Sequence, residues 1–230
     1  MMHPPPLAGV LSRLGGVQTP LPASVAVLIG IVTFVLMNSQ RLFQVARPVG
    51  TVVHEAAHAL VGLGAGRRIR SVTIKRNGGA TEMVPNSGAG YVVAASAGYI
   101  GPSAAGLISA ELIHHGRIVA VLWLGLLLVA AMLLLVRNFF GGIVMLVCGA
   151  LLYLIVVYAK VGAQTAVAYG ATWFLLIYGP KLAIGAASKP RDVEDAKILA
   201  GMTFLWPAAW CFLWVIGTIG ALVAGGALLV

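Results

Sequence analysis

The chain has 230 residues, of which 60% are hydrophobic and only 9% charged, with a formal net charge of +9. A soluble domain would need a charged face on each helix, and most apolar segments here have none. A nucleic-acid-binding protein would need its cations clustered on one surface, but here they are spread between the apolar segments. Several segments reach the roughly 20 residues that cross a hydrocarbon core, so the composition predicts a polytopic membrane protein embedded in a lipid bilayer.

We predict an all-α polytopic membrane protein with about six to seven transmembrane helices and a small β-hairpin after the second span. Residues 1–21, rich in Pro and Gly, are expected to form a disordered lead, and residues 22–230 a single transmembrane domain. The lengths of the apolar segments predict spans at 22–38, 48–65, 88–112, 118–136, 140–159, 163–179 and 203–229.

Positively charged residues between these segments predict the orientation. With a cytoplasmic N-terminus, eleven Lys and Arg residues fall on the inner side and four on the outer side. The positive-inside rule therefore favours a cytoplasmic N-terminus. We expect the membrane to be a bacterial-type cell membrane.

The second predicted span contains the motif His-Glu-Ala-Ala-His at residues 54–58. Residues four apart lie on the same helix face, so His54 and His58 can offer two imidazoles to one zinc ion. Glu55, rotated by about 100°, is placed to take a proton from water activated by the metal. Ionisable groups inside a span are costly and by default functional, which favours a zinc site over a polar helix face.

Zinc requires a third protein ligand, and the chain offers few candidates. Glu111, His114 and His115 form a cluster at the end of the third span, which we interpret as a solvated helix end. Glu82 and Asp195 stay open as third ligands. The remaining acidic and histidine side chains are those of His3, Asp192 and Glu194. Cys148 and Cys211 lack a partner at metal-binding spacing and are interpreted as small buried hydrophobes.

A β-hairpin is predicted directly after the motif span. Asn77-Gly78-Gly79 separates two alternating stretches and is a hairpin signal, with Val72 and Ile74 on one side of the first stretch. An unwound substrate segment can add to an open strand edge, so Val72 and Ile74 are candidate substrate-binding residues. A basic hairpin that contacts anionic lipid headgroups is an equally good and compatible interpretation.

Four stretches together resemble the site-2 protease family of intramembrane zinc metallopeptidases. The second to fourth resemble its membrane-associated β element, its Gly-Pro motif and its Pro-x-x-x-Leu-Asp-Gly motif. In order, the stretches are 54–58, 68–84, 97–103 and 190–199. The resemblance implies a zinc endopeptidase in which Asp195 completes the site. This chain departs from the family pattern at Glu194 and Ala196, and at Ala105 and Ala187, where the family often has Asn. Ser103 or backbone amides are candidate replacement donors toward substrate, and helix packing is the alternative use of Ser103.

Asp195 must reach the depth of the two histidines although its neighbours are charged. Residues 195–230 are longer than one span, and Pro207 can break a helix. A re-entrant or tilted start of this segment would carry Asp195 inward.

The predicted function is an intramembrane zinc endopeptidase acting on membrane-anchored protein substrates, as in regulated intramembrane proteolysis. A membrane protein that binds or transports a metal ion without hydrolysis, and a catalytically silent scaffold, are the alternatives. Glu55 discriminates between them, because only the peptidase requires a general base.

Overall fold

The computed structural model describes residues 16–230, so His3 and most of the predicted lead 1–21 lie outside the described range. Within it the chain forms eight α-helices and one two-stranded sheet. The elements are α1 (Ala23–Asn38), α2 (Gln40–Gly64), β1 (Arg68–Lys75), β2 (Gly78–Val84), α3 (Ala89–His114), α4 (Ile118–Leu135), α5 (Phe139–Tyr158), α6 (Val161–Ser188), a 3₁₀ turn (Pro190–Asp192), α7 (Glu194–Met202) and α8 (Pro207–Leu229).

Five helices are long and apolar enough to cross a membrane, namely α3, α4, α5, α6 and α8. A sixth span results if α1 and α2 together form one, since the pair passes the same test but bends by 103° at the break between them. The all-α polytopic fold is confirmed. The segments predicted as separate spans at 22–38 and 48–65 amount to at most one, because α1 has only 16 residues and α2 begins with the polar stretch Gln40–Gln44.

The hairpin forms where the sequence predicts it. β1 and β2 pair antiparallel, with Val72 opposite Thr81 and Ile74 opposite Gly79, and the turn passes through Gly78 at a φ of +154°, which only glycine adopts readily. Val72 and Ile74 are both fully buried. They pack against apolar side chains of α2, α4 and α5: Val52, Ala56, Met132 and Met145. The prediction that these two side chains bind substrate is therefore wrong, because they anchor the hairpin to the helices.

The outer edge of β1 is covered by the loop between α4 and α5. The Arg137 N–H donates to the Val72 carbonyl at 2.9 Å. The Asn138 side chain pairs with Ile74 like a strand, accepting from its N–H at 3.0 Å and donating to its carbonyl at 2.7 Å. At Val72 and Ile74 the edge of β1 is therefore closed to a further strand, and β2 is the edge that lies opposite.

We expect Asn138→Ala to loosen the hairpin. It removes two hydrogen bonds and leaves the Ile74 backbone groups unpaired, which costs about 1–3 kcal/mol. Thermal unfolding of the purified protein should shift down by a few degrees, with faster hydrogen exchange in β1. Asn86→Ala, at an exposed loop position, is the matched control. Equal exchange in both variants would contradict this role of Asn138.

The C-terminal part of the chain breaks before Pro207, as predicted. After α6, the 3₁₀ turn leads into α7, and residues 203–206 separate α7 from α8. Ala196 and Leu199 of α7 are fully buried against Ala95 of α3 and Trp214 of α8. This packing holds the short helix inward and brings Asp195 toward α2.

Candidate metal centre

Helix α2 presents His54 and His58 on the face that packs against α3, and Glu55 toward β2. Gly101 of α3 lies directly against the Ala57 side chain, and small residues of this kind let two helix backbones approach closely. Glu55 and His58 are 3% and 5% exposed. The motif is therefore enclosed between two helices.

Three ligand atoms meet at this point. His54 Nε2 and His58 Nε2 are 3.1 Å apart, and each lies 3.4 Å from Asp195 Oδ2. In a tetrahedral zinc site with bonds of about 2.0–2.1 Å, neighbouring ligand atoms lie about 3.3–3.4 Å apart. Across residues 16–230 this is the one group of His, Cys, Asp or Glu side chains close enough to hold a metal ion.

The hydrogen bonds of His58 suit it to bind a cation. Its Nδ1 lies 2.8 Å from the Ala94 carbonyl O, which can only accept, so Nδ1 carries the proton and Nε2 is free to bind a metal. The His54 ring is held edge-on by Tyr99 at a centroid distance of 5.0 Å, and Tyr99 stacks on Trp214 at 4.2 Å. His54 Nδ1 is buried and has no hydrogen-bond partner within the described residues.

Gly98 provides the space in front of the two imidazoles. A Cβ at this position would lie 2.6 Å from His54 Nε2 and closer still to His58 Nε2. Any side chain here would clash with both imidazoles and force them out of their present positions. The donor set and this space fit a bound transition-metal ion.

The Asp195 carboxylate is suited to the same purpose. Burial raises its pKa, but hydrogen bonds and charge from His54 and His58, when their Nε2 atoms carry protons, outweigh burial, so that the pKa of Asp195 lies below its ordinary value. The group is therefore ionised, which is the state in which a carboxylate binds a cation.

Glu55 lies beside the three ligands without belonging to them. Its Oε2 accepts a hydrogen bond of 2.7 Å from the Thr81 hydroxyl of β2. A cleft of about 280 Å³ brings Glu55, the ligand side chains and the hairpin together. The cleft is also lined by Arg47, Thr51, Asn77, Gly78, Gly79, Ala80, Met83, Tyr91, Ala95, Tyr99, Tyr178, Leu182, Glu194 and Ile198.

A family model described as Peptidase M50B-like matches residues 25–225, a range that contains the hairpin and all three ligand residues. The chain belongs to the M50B-like peptidases. The resemblance to the site-2 protease family is thereby confirmed, and the protein is a multi-pass membrane protein of a metallopeptidase family. No curated protein and no solved structure matches the chain.

Other predicted site residues of this M50B-like peptidase lie outside the cleft. Glu82 is exposed on β2, where its carboxylate accepts from Ser71 Oγ at 3.3 Å and lies 3.5 Å from Arg70 Nη1. It is therefore not placed to be the third ligand. His115 Nε2 lies 3.0 Å from Glu111 Oε1 at the exposed end of α3, as expected for a solvated helix end.

The prediction that Ser103 contacts substrate is wrong. Ser103 is fully buried where α3 packs against Gly179 of α6, and it does not line the cleft. The small residues at both positions let the two helices approach closely, which is a packing role.

Two cleft residues of the M50B-like peptidase, Gly79 and Thr81, have no signal in the sequence. Gly79 is part of an ordinary turn signal, and Thr81 is an unremarkable strand residue. Only the docking of β2 on α2 brings them to Glu55. Successive residues of a strand point to opposite faces, and the sequence of β2 does not indicate which of its two faces lies toward Glu55.

Proposed function

We propose that the protein is an intramembrane zinc endopeptidase that hydrolyses peptide bonds of membrane-anchored proteins, as in regulated intramembrane proteolysis. One observation carries the proposal: two imidazole nitrogens and a carboxylate oxygen lie 3.1–3.4 Å apart beside a buried carboxylate that is not one of them. This is the composition of a catalytic zinc site, which has three protein ligands and one open position. A cytoplasmic N-terminus and a bacterial-type cell membrane stay predictions.

Each residue has a defined task in the proposed reaction. His54, His58 and Asp195 would hold zinc, which supplies Lewis-acid activation of water and of the scissile carbonyl. Glu55 takes a proton from the attacking water as its oxygen bonds to the carbonyl carbon. When the C–N bond breaks, Glu55 returns the proton to the departing amine. The low exposure of Glu55 keeps bulk water away from this exchange.

The edge of β2 supports a way of holding the substrate extended. The outward backbone groups of β1 at Val72 and Ile74 are already paired with the loop 136–138. In an antiparallel ladder their partners Thr81 and Gly79 point their own backbone groups to the opposite side. Both of these residues line the cleft. We therefore assign substrate strand addition to β2, with Val72 and Ile74 supporting it from behind.

An apolar groove adjoining the cleft supports a membrane-embedded substrate. It has a volume of about 960 Å³ and shares Arg47, Tyr99 and Leu182 with the cleft. Phe34 of α1 and Ile184 of α6 border it and are 57% and 54% exposed. Exposed apolar side chains of this size suit contact with an apolar polypeptide segment.

No observation favours a metal transporter. An ion path needs ionisable groups inside the helices, and the acidic side chains other than Glu55 and Asp195 are all exposed: Glu82, Glu111, Asp192 and Glu194. A catalytically silent scaffold would not need a buried carboxylate such as that of Glu55 beside His54, His58 and Asp195.

We expect Asp195→Ala to lose both zinc and cleavage. Loss of a direct ligand should weaken metal binding by more than the roughly 10- to 100-fold that loss of an outer hydrogen-bond partner costs. Metal analysis of the purified protein should give about one zinc per chain for the wild type, and a panel of fluorescent single-pass reporter proteins measures cleavage. Glu82→Gln, which removes the alternative ligand, should retain both. Zinc and cleavage that survive Asp195→Ala would refute the proposed site.

A further inference from the structure

Two residues of β2 enclose the carboxylate of Glu55. The Thr81 hydroxyl lies 2.7 Å from Glu55 Oε2 and 3.2 Å from the Glu55 carbonyl O, so its single proton is directed to the nearer oxygen. On the other side, a Cβ at Gly79 would lie 2.6 Å from Glu55 Oε1 and 2.7 Å from the Thr73 carbonyl O. The carboxylate therefore lies between a hydroxyl donor and a stretch of backbone that has no side chain.

A general base must present its oxygen in one orientation, and a Glu side chain has several rotatable bonds with which to leave it. In residues 16–230 the Thr81 hydroxyl is the one side-chain donor to the Glu55 carboxylate. Hydrogen bonds to an ionised acceptor are short and about twice as strong as neutral ones. The Thr81 hydroxyl alone can therefore determine the orientation of the Glu55 carboxylate.

We infer that Thr81 is a positioning residue, whose hydroxyl holds Glu55 in the orientation that accepts a proton from the attacking water. This inference rests on the proposed function and deepens it. Thr81 also lies on the strand edge assigned to the substrate. A substrate strand that pairs with β2 thus orders the residue that orients the base, so that substrate binding and base alignment are coupled through one side chain.

The test replaces the hydroxyl by a methyl group of the same size. Thr81→Val should lower kcat on a cleaved single-pass reporter by roughly 10- to 100-fold, the equivalent of a lost hydrogen bond to a charged group. KM should stay within about twofold and the zinc content should be unchanged. Thr81→Ser keeps the hydroxyl and should restore most of kcat. Thr73→Val is the matched control, since Thr73 makes no side-chain hydrogen bond in the described part of the chain.

A second readout requires no substrate. Thr81→Val should lower the thermal unfolding temperature by roughly 3–6 °C in the wild-type background. In a Glu55→Ala background the same change should shift it by less than about a third of that, because the acceptor is already gone. This double-mutant cycle detects the contact itself, whether or not the metal is bound.

The outcomes separate the two claims. An active wild type with unchanged kcat in Thr81→Val, or a Thr81→Ser variant as slow as Thr81→Val, overturns the positioning role alone. Additive thermal shifts overturn it as well. A wild type that cleaves the reporters no faster than Glu55→Gln does overturns the proposed function, and the positioning role of Thr81 with it.

Discussion

Replacement of Glu55 by Gln should lower cleavage by roughly 10²- to 10⁴-fold, the range that a positioned general base contributes. Gln has nearly the same shape as Glu, and its amide oxygen can still accept the bond from Thr81, but it cannot take a proton from water. The zinc content should stay that of the wild type, because Glu55 is not among the ligand atoms. Cleavage of reporter proteins and metal analysis of the same preparation measure the two effects.

The Glu82→Gln variant is the matched control for this experiment. It makes the same chemical change on an exposed carboxylate of β2, and we expect wild-type cleavage. A Glu55→Gln protein that cleaves as fast as the control would contradict the peptidase assignment. It would favour the interpretation that the same side chains bind an ion without hydrolysis.

The second large effect is expected from Gly98→Ala, which should abolish zinc binding. The added methyl carbon would lie 2.6 Å from His54 Nε2 and even nearer to His58 Nε2. These nitrogens belong to a close-packed helix pair that cannot move apart easily. The methyl group therefore displaces the two imidazoles from the positions in which they could share one ion. Zinc content measured after metal loading, and cleavage, should both fall to background.

Gly170→Ala is the control for this substitution. Gly170 also lies within a helix, α6, but a Cβ there meets nothing within 4 Å, and alanine is the better helix former by about 0.5–1 kcal/mol. It should bind zinc as the wild type does. Far-UV circular dichroism and size-exclusion chromatography show whether Gly98→Ala retains the fold. A folded Gly98→Ala protein with full zinc content would disprove this account of the site.

Much of the fold and the centre of the site could be predicted because the relevant interactions are local. His54 and His58 face the same side as a direct result of their spacing on α2. The signal Asn77-Gly78-Gly79 predicts a hairpin, and the turn forms at residues 76–77 directly before Gly78. The apolar segments predict the spans by their length. None of these depends on which helix packs against which.

What could not be predicted depends on tertiary packing. The alternation in β1 shows that Val72 and Ile74 share a face, but not that α4 and α5 cover it. The spacing of Ser103 does not tell that α6 lies over it. The 103° bend between α1 and α2 has no strong sequence signal, because no proline marks the break at Ser39. The residue pattern left both Asp195 and Glu82 open as the third ligand, since the approach of Asp195 to His58 depends on how α7 docks.

His58 and Asp195 are separated by more than half of the chain, and this distance governs when the three side chains of the candidate metal centre can come together. Synthesis proceeds from the N-terminus, so α2 and the hairpin are made long before α7 leaves the ribosome. Until then the two imidazoles lack their carboxylate partner. A nascent molecule therefore carries an incomplete centre throughout the insertion of the helices that precede α7.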